Sequence, residues 1–134
     1  MREYVYRQTG ILLRRLAIQV TRATRTGDDR AIHDLRVAIR RLSRCLRVFA
    51  QFYPARSWKP VRRRLAELMD ACGSVRDRDI AIGLLQQAGV PAASPLLLRQ
   101  LDVERRAAVH DLQLELQRWK ARGFLRQWRV SLEL

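Results

Sequence analysis

The run Ile32-His33-Asp34-Leu35-Arg36-Val37-Ala38-Ile39-Arg40-Arg41-Leu42, continued by Ser43-Arg44-Cys45-Leu46-Arg47, decides how this chain is read. At roughly 100° per residue, a helix puts Ile32, Leu35, Ile39, Leu42, Leu46 and Phe49 on one face, flanked by Ala38 and Cys45. Opposite them, His33, Arg36, Arg40, Arg44 and Arg47 share an arc of about 80°, with Arg41 to one side. A solvated basic face usually interleaves acids for i,i+4 pairing. Here Asp34 alone is near, and it points off the stripe. Like charges stacked this way repel one another unless an anion lies among them. The stripe is therefore a candidate anion site, with a plain solvated face as the alternative.

Outward from this helix the punctuation is regular. A first helix is expected from about Glu3 to Thr26, stopped by Gly27. Asp28-Asp29 caps the basic helix, about 29–52, which ends before Pro54. A third helix starts near Ser57, tolerates Pro60 in its first turn, and ends at Cys72-Gly73. Ser74 then caps a fourth, about 74–88, with Asp77 placed as in a capping box and Gly89 as its stop. Gly89-Val90-Pro91-Ala92-Ala93 reads as a loop, and Ser94-Pro95 opens a long helix, about 95–122. Gly123 precedes a short last helix from Phe124 to Leu134. No segment alternates with period two. The expectation is one all-α domain over 1–134, an antiparallel bundle of four to six helices.

The composition narrows the function. The 134 residues carry 27 basic and 13 acidic side chains, a formal net charge of +14. Of the basic residues only Lys59 and Lys120 are lysines. Arginine's planar fork matches phosphate and carboxylate oxygens, so the bias points to polyanions, although an arginine-favouring codon usage would give it too. No apolar run approaches the roughly 20 residues that span a bilayer, and Met1-Arg2-Glu3-Tyr4 opens no signal peptide. Cys45 and Cys72 make neither a disulfide framework nor a metal-ligand spacing. A reduced, cytoplasmic protein without membrane contact, metal or cofactor is expected.

The run from Ile32 to Leu42 resembles the opening motif of the CHAD domain, the conserved-histidine α-helical domain. Val75-Arg76-Asp77-Arg78-Asp79 resembles its second signature, and Arg122-Gly123-Phe124 fits its later helix stop. The resemblance covers nearly the whole chain. It implies a non-enzymatic module that binds inorganic polyphosphate in a basic groove, and association with polyphosphate granules is one consequence of such binding. By position, His33, Arg36, Arg40, Arg41, Arg44 and Arg47 inherit the anion-binding role, with Arg76 a further member. Ser43 stands where the family often has another basic residue, a charge that Arg44 can supply. Members usually hold two bundles in tandem; no second His-x-x-Arg run occurs here, since His110 is followed by Gln113. The chain thus resembles half of a CHAD-type double bundle. A C2 homodimer would rebuild the two-bundle groove, with Phe124, Leu125, Trp128 and Leu132 either forming its interface or covering the end of the bundle.

Helix one adds Arg7, Arg14, Arg22 and Arg25 on one side, and Arg62, Arg63 and Arg64 open helix three. If helices one and two are neighbours, Arg14 and its row merge with the His33 stripe. In the second signature, Asp77 falls on the side of Leu84 and Ala88, which suggests a partly buried Asp–Arg pair, with Arg76 steadied by Asp79. Arg105 on the apolar face of helix five calls for a salt bridge or snorkelling. Cys45 and Cys72 read as small hydrophobes, His110 as exposed, and Trp58, Trp119 and Trp128 as anchors.

Two rival functions remain. Nucleic-acid binding needs the same charge, yet none of the nine aromatic residues (three each of Trp, Tyr and Phe) lies on the stripe to stack bases. A helix-turn-helix around Gly73 matches poorly, with Met69 and Asp79 at its key positions. A histidine phosphotransfer domain would use an exposed histidine like His33 with Arg36 behind it, but Val37 follows where a glycine is expected. No nucleophile–base arrangement or glycine-rich phosphate cradle suggests an enzyme.

Overall fold

The computed structural model describes residues 1–89 and 95–134. Five α-helices account for most of them: α1 Arg2–Arg25, α2 Asp29–Val48, α3 Trp58–Gln87, α4 Pro95–Ala121 and α5 Phe124–Ser131. No strand occurs among the described residues. α1 packs on α2 and α4, α2 on α3, and α3 on α4, while α5 closes against α1 and α4. The order is that of an antiparallel four-helix bundle with a fifth helix folded back on it.

The chain's apolar periodicity fills the centre. Leu13, Leu16 and Val20 of α1 meet Leu35, Ile39, Leu42 and Leu46 of α2, Leu65 and Leu68 of α3, and Leu112 and Leu116 of α4. Each of these is essentially inaccessible to solvent. The tail belongs to this core: Phe124, Trp128 and Leu132 are buried, and Trp119 makes edge-on contacts to Phe124 and Trp128 with centroids 5.2 and 5.1 Å apart. Phe124, Trp128 and Leu132 therefore cover the end of the bundle, and Leu125 is half-buried against the same core.

The turns hold by specific contacts. Asp28 caps α2, its carboxylate accepting from the Ala31 amide at 2.8 Å. Gly27 lies so close to Val109 of α4 that a Cβ would run into the valine methyl. Gly123, with φ 63°, reverses the chain between α4 and α5. The Tyr6 hydroxyl donates to the Phe52 carbonyl at 2.7 Å, and Tyr53 shares a 2.6 Å hydrogen bond with buried Thr9, so the connection after α2 is pinned to α1.

Three boundaries differ from expectation, the simplest being that α5 stops at Ser131 and does not reach Leu134. α2 ends at Val48, and residues Ala50–Phe52 tighten into a 3-10 turn, so the helix does not reach Phe52. More consequentially, the third and fourth helices are one. α3 runs unbroken through Gly73 and Ser74, and the Ser74 hydroxyl accepts from Arg78 instead of capping a helix. A glycine inside a helix costs only about 1 kcal/mol, and Leu68, Cys72 and Val75 are buried on both sides of it. Packing outweighs that cost, and no turn remains for a helix-turn-helix. The expected loop lies outside the described residues apart from Gly89, which has φ 70°.

One continuous α3 also sets the phase of the second signature. Asp79 follows Val61, Leu65, Leu68, Cys72 and Val75 at helical spacing, and it is Asp79 that forms the partly buried pair, with Arg105 of α4. Asp77 is exposed. Arg76 is held by Asp29 of α2 at 3.2 Å and not by Asp79.

Candidate functional site

The basic stripe of α2 faces a groove whose other wall is α3. Because the two helices are antiparallel, Arg47 and Arg44 lie near the start of α3, and Asp29 pairs with Arg76 at the far end. The groove has a volume of about 420 Å³. Arg40, Arg44 and Arg47 line it from α2 and Arg62 from α3, over a floor that includes Ile39, Leu65 and Met69. Among the described residues, no acidic side chain lines it. It continues past Ser43 into a hollow bordered by Trp58, Lys59, Arg62 and Arg63.

These cations are not neutralised by the protein. Among the described residues, Arg40, Arg44, Arg47 and Arg62 take part in no ion pair, whereas Arg22, Arg76, Arg78, Arg105, Arg106 and Arg118 each do. Arg36, one turn from Arg40 toward the α2 N-terminus, is half-buried with its Nε enclosed and, among the described residues, unpartnered. It lies beside Cys72: burial pushes that thiol up to about 12, and the Arg36 charge pulls against the rise. His33 is exposed on the same face and has no protein partner among the described residues.

The remaining expected residues lie elsewhere. Arg41 lines a second, smaller groove of about 280 Å³ between α1 and α2, together with Arg15, Gln19, Leu12 and Asp34. In that groove the facing arginine from α1 is Arg15. Arg14, one residue earlier and about 100° around the helix, is exposed and is not among its lining residues. Arg22 is occupied by Asp34 at 2.5 Å, which ties α1 to α2. The basic face of α2 therefore merges with the start of α3, not with the arginine row of α1. Arg62, Arg63 and Lys59 were visible in the sequence as charge, but their side of α3 depended on which helix α2 packs against. Arg64 sits on another side of α3, over the Trp119 ring.

A bent or extended polyanion would find four unpaired guanidinium groups, a half-buried fifth and an imidazole donor along one track. Such an array offers charge-assisted hydrogen bonds to oxygen after oxygen of a repeating anion. Among the described residues, no cluster of His, Cys, Asp and Glu is placed to hold a metal ion. No described helix is long and apolar enough to cross a membrane.

The family model of the CHAD domain matches residues 10–133. The chain belongs to the CHAD domain family. No curated protein and no solved structure matches it. Within this CHAD domain the two signatures sit on neighbouring antiparallel helices, the His33 motif on α2 and Arg76 on α3, joined by the Asp29–Arg76 pair.

Proposed function

We propose that this CHAD domain binds inorganic polyphosphate, without hydrolysing it, in the groove between α2 and α3. The observation that carries the reading is the unpaired set Arg40, Arg44, Arg47 and Arg62 lining one groove without an acid among them. Concentrated positive charge of this kind costs folding stability, and a bound polyanion offsets the cost. His33 and Arg36 extend the track toward Asp29–Arg76, and Lys59 and Arg63 extend it the other way. Arg41 and Arg14 lie off the track and contribute only to long-range attraction. Two copies of the chain would double the track, in keeping with the tandem bundles usual in the family.

One observation favours nucleic acid as a second reading. Trp58 borders the hollow next to the groove and offers a ring on which a single-stranded base would stack. Lys59 and Arg62 already lie near that ring, 5.7 and 6.0 Å from its centroid. One aromatic among so many cations favours a polyanion without bases.

Reversing two charges tests the assignment. Arg36→Glu with Arg40→Glu abolishes polyphosphate binding while the helical circular dichroism stays that of the wild type. Binding that survives this pair moves the site to the α1–α2 groove.

A further inference from the structure

On the side of α2 away from α3, the α1–α2 groove repeats one contact in altered form. Arg22 of α1 meets Asp34 of α2 at 2.5 Å. The two helices run antiparallel, so seven residues back along α1 and seven forward along α2 return to one level and to the same sides. Those residues are Arg15 and Arg41, and both line the groove. Where the first level sets a guanidinium against a carboxylate, the second sets a guanidinium against a guanidinium.

Nothing in the groove neutralises that second level. Arg15 and Arg41 are exposed and take part in no ion pair among the described residues. Asp34 also lines the groove, but Arg22 occupies it. Like charges facing one another cost stability unless an anion lies between them. Between the two levels the wall is apolar: Ile18 and Val37, with Leu12 and Ala38, line the same hollow of about 280 Å³. Ile18 is left 63% exposed there. Gln19 lines it too, with its Oε1 enclosed and, among the described residues, without a hydrogen-bond partner. An enclosed acceptor of this kind is satisfied by a donor that a ligand brings.

We infer that the α1–α2 groove is a second ligand site, distinct from the polyphosphate track, and that it takes a small organic phosphate monoester. The phosphate lies between Arg15 and Arg41, with each guanidinium donating to its oxygens. A phosphate monoester carries nearly two negative charges at neutral pH, which matches the facing pair. The organic part lies along Ile18 and Val37, where a hydroxyl on it would donate to Gln19. The volume is at the small end for ligand pockets and admits one ring or a short chain. The track on α2 and α3 has a row of cations for a repeating anion. This groove has one pair beside an apolar wall, which suits a single head with an apolar body.

The test is a calorimetric titration at fixed ionic strength with phenyl phosphate and, separately, with inorganic phosphate. The wild type binds phenyl phosphate about tenfold more tightly, the gain expected from burying much of a ring. Arg15→Ala and Arg41→Ala each weaken phenyl phosphate by roughly tenfold, the loss of a charge-assisted hydrogen bond. Ile18→Ser, a change at an exposed position, brings phenyl phosphate down to the level of inorganic phosphate. Arg40→Ala and Arg62→Ala, in the other groove, change it less than about twofold. Long-chain polyphosphate responds to these arginines the other way round, so the two sites succeed or fail separately. The inference is overturned if the wild type binds the two phosphates equally or shows no binding at millimolar phenyl phosphate. A loss that follows Arg40 and Arg62 instead of Arg15 and Arg41 overturns it as well.

Discussion

Asp79 of α3 and Arg105 of α4 form an ion pair with side chains only 15% and 22% exposed, and the same guanidinium reaches across to the Gly27 carbonyl at 2.9 Å. One arginine thereby ties the hairpin to the turn between α1 and α2. Asp79 keeps a second oxygen buried without a partner among the described residues, so the pair has little in reserve.

Removing Arg105 alone leaves an uncompensated carboxylate in a low-dielectric setting. Arg105→Leu is expected to cost about 3 kcal/mol, the lower end for a broken buried pair. That lowers the melting temperature by roughly 10 °C. Changing Asp79 and Arg105 to leucine together recovers most of the loss, because two apolar groups need no partner. Thermal melts of the single and double variants decide this, and equal destabilisation by both contradicts it.

Gly73 and Gly27 predict opposite outcomes for the same substitution. A Cβ at Gly73 meets nothing within 4 Å, and the residue is inside α3. Gly73→Ala therefore stabilises the fold by about 0.5–1 kcal/mol. Gly27→Ala pushes against Val109 and destabilises it. Denaturant midpoints for the pair test the continuity of α3; a Gly73→Ala variant that loses stability contradicts it.

The α2 cap gives a pH signature. The hydrogen bond from the Ala31 amide, with Thr26 next in importance, holds the Asp28 carboxyl below the usual carboxylate range. A carboxyl lowered by folding contributes stability that is present above its unfolded pKa of about 4. That contribution is lost as pH falls through the folded value. Asp28→Asn keeps an acceptor at the cap without the charge, so the wild type's advantage should shrink between about pH 5 and pH 3. Melts across that range check it; an advantage independent of pH speaks against the cap's charge.

The two grooves flanking α2 predict a ranking of anion affinity. Arg40→Ala or Arg62→Ala weakens polyphosphate binding roughly 3- to 10-fold and lowers the salt slope by about one. Arg41→Ala and Arg14→Ala shift affinity less than about twofold, through screened long-range charge alone. Titrations at several salt concentrations rank the four. If the Arg41 change is the most damaging, the α1–α2 groove holds the ligand.

Much of this was legible because α2 carries period and charge together: Leu35, Ile39, Leu42 and Leu46 fix its buried face, which leaves Arg36, Arg40, Arg44 and Arg47 facing outward. Less was legible where local and tertiary signals conflict. Gly73-Ser74-x-x-Asp77 has the form of a helix stop and a new cap, yet the packing of Leu68, Cys72 and Val75 carries one helix through it. That hid which aspartate of the second signature is buried, since the phase of Asp77 and Asp79 depends on the helix being unbroken. The partner of the basic stripe was hidden for another reason. Charge at Arg14 and at Arg62 looks alike in sequence, and only the packing of α2 between α1 and α3 tells them apart.

The most direct measurement is a titration of the whole chain with long-chain polyphosphate near physiological salt, competed by single-stranded and duplex DNA at matched phosphate concentration. The account predicts tight binding to polyphosphate that neither DNA displaces, since the track between α2 and α3 offers cations to every phosphate and only Trp58 to a base. Equal displacement by either DNA would contradict it and reduce the groove to a general phosphate surface.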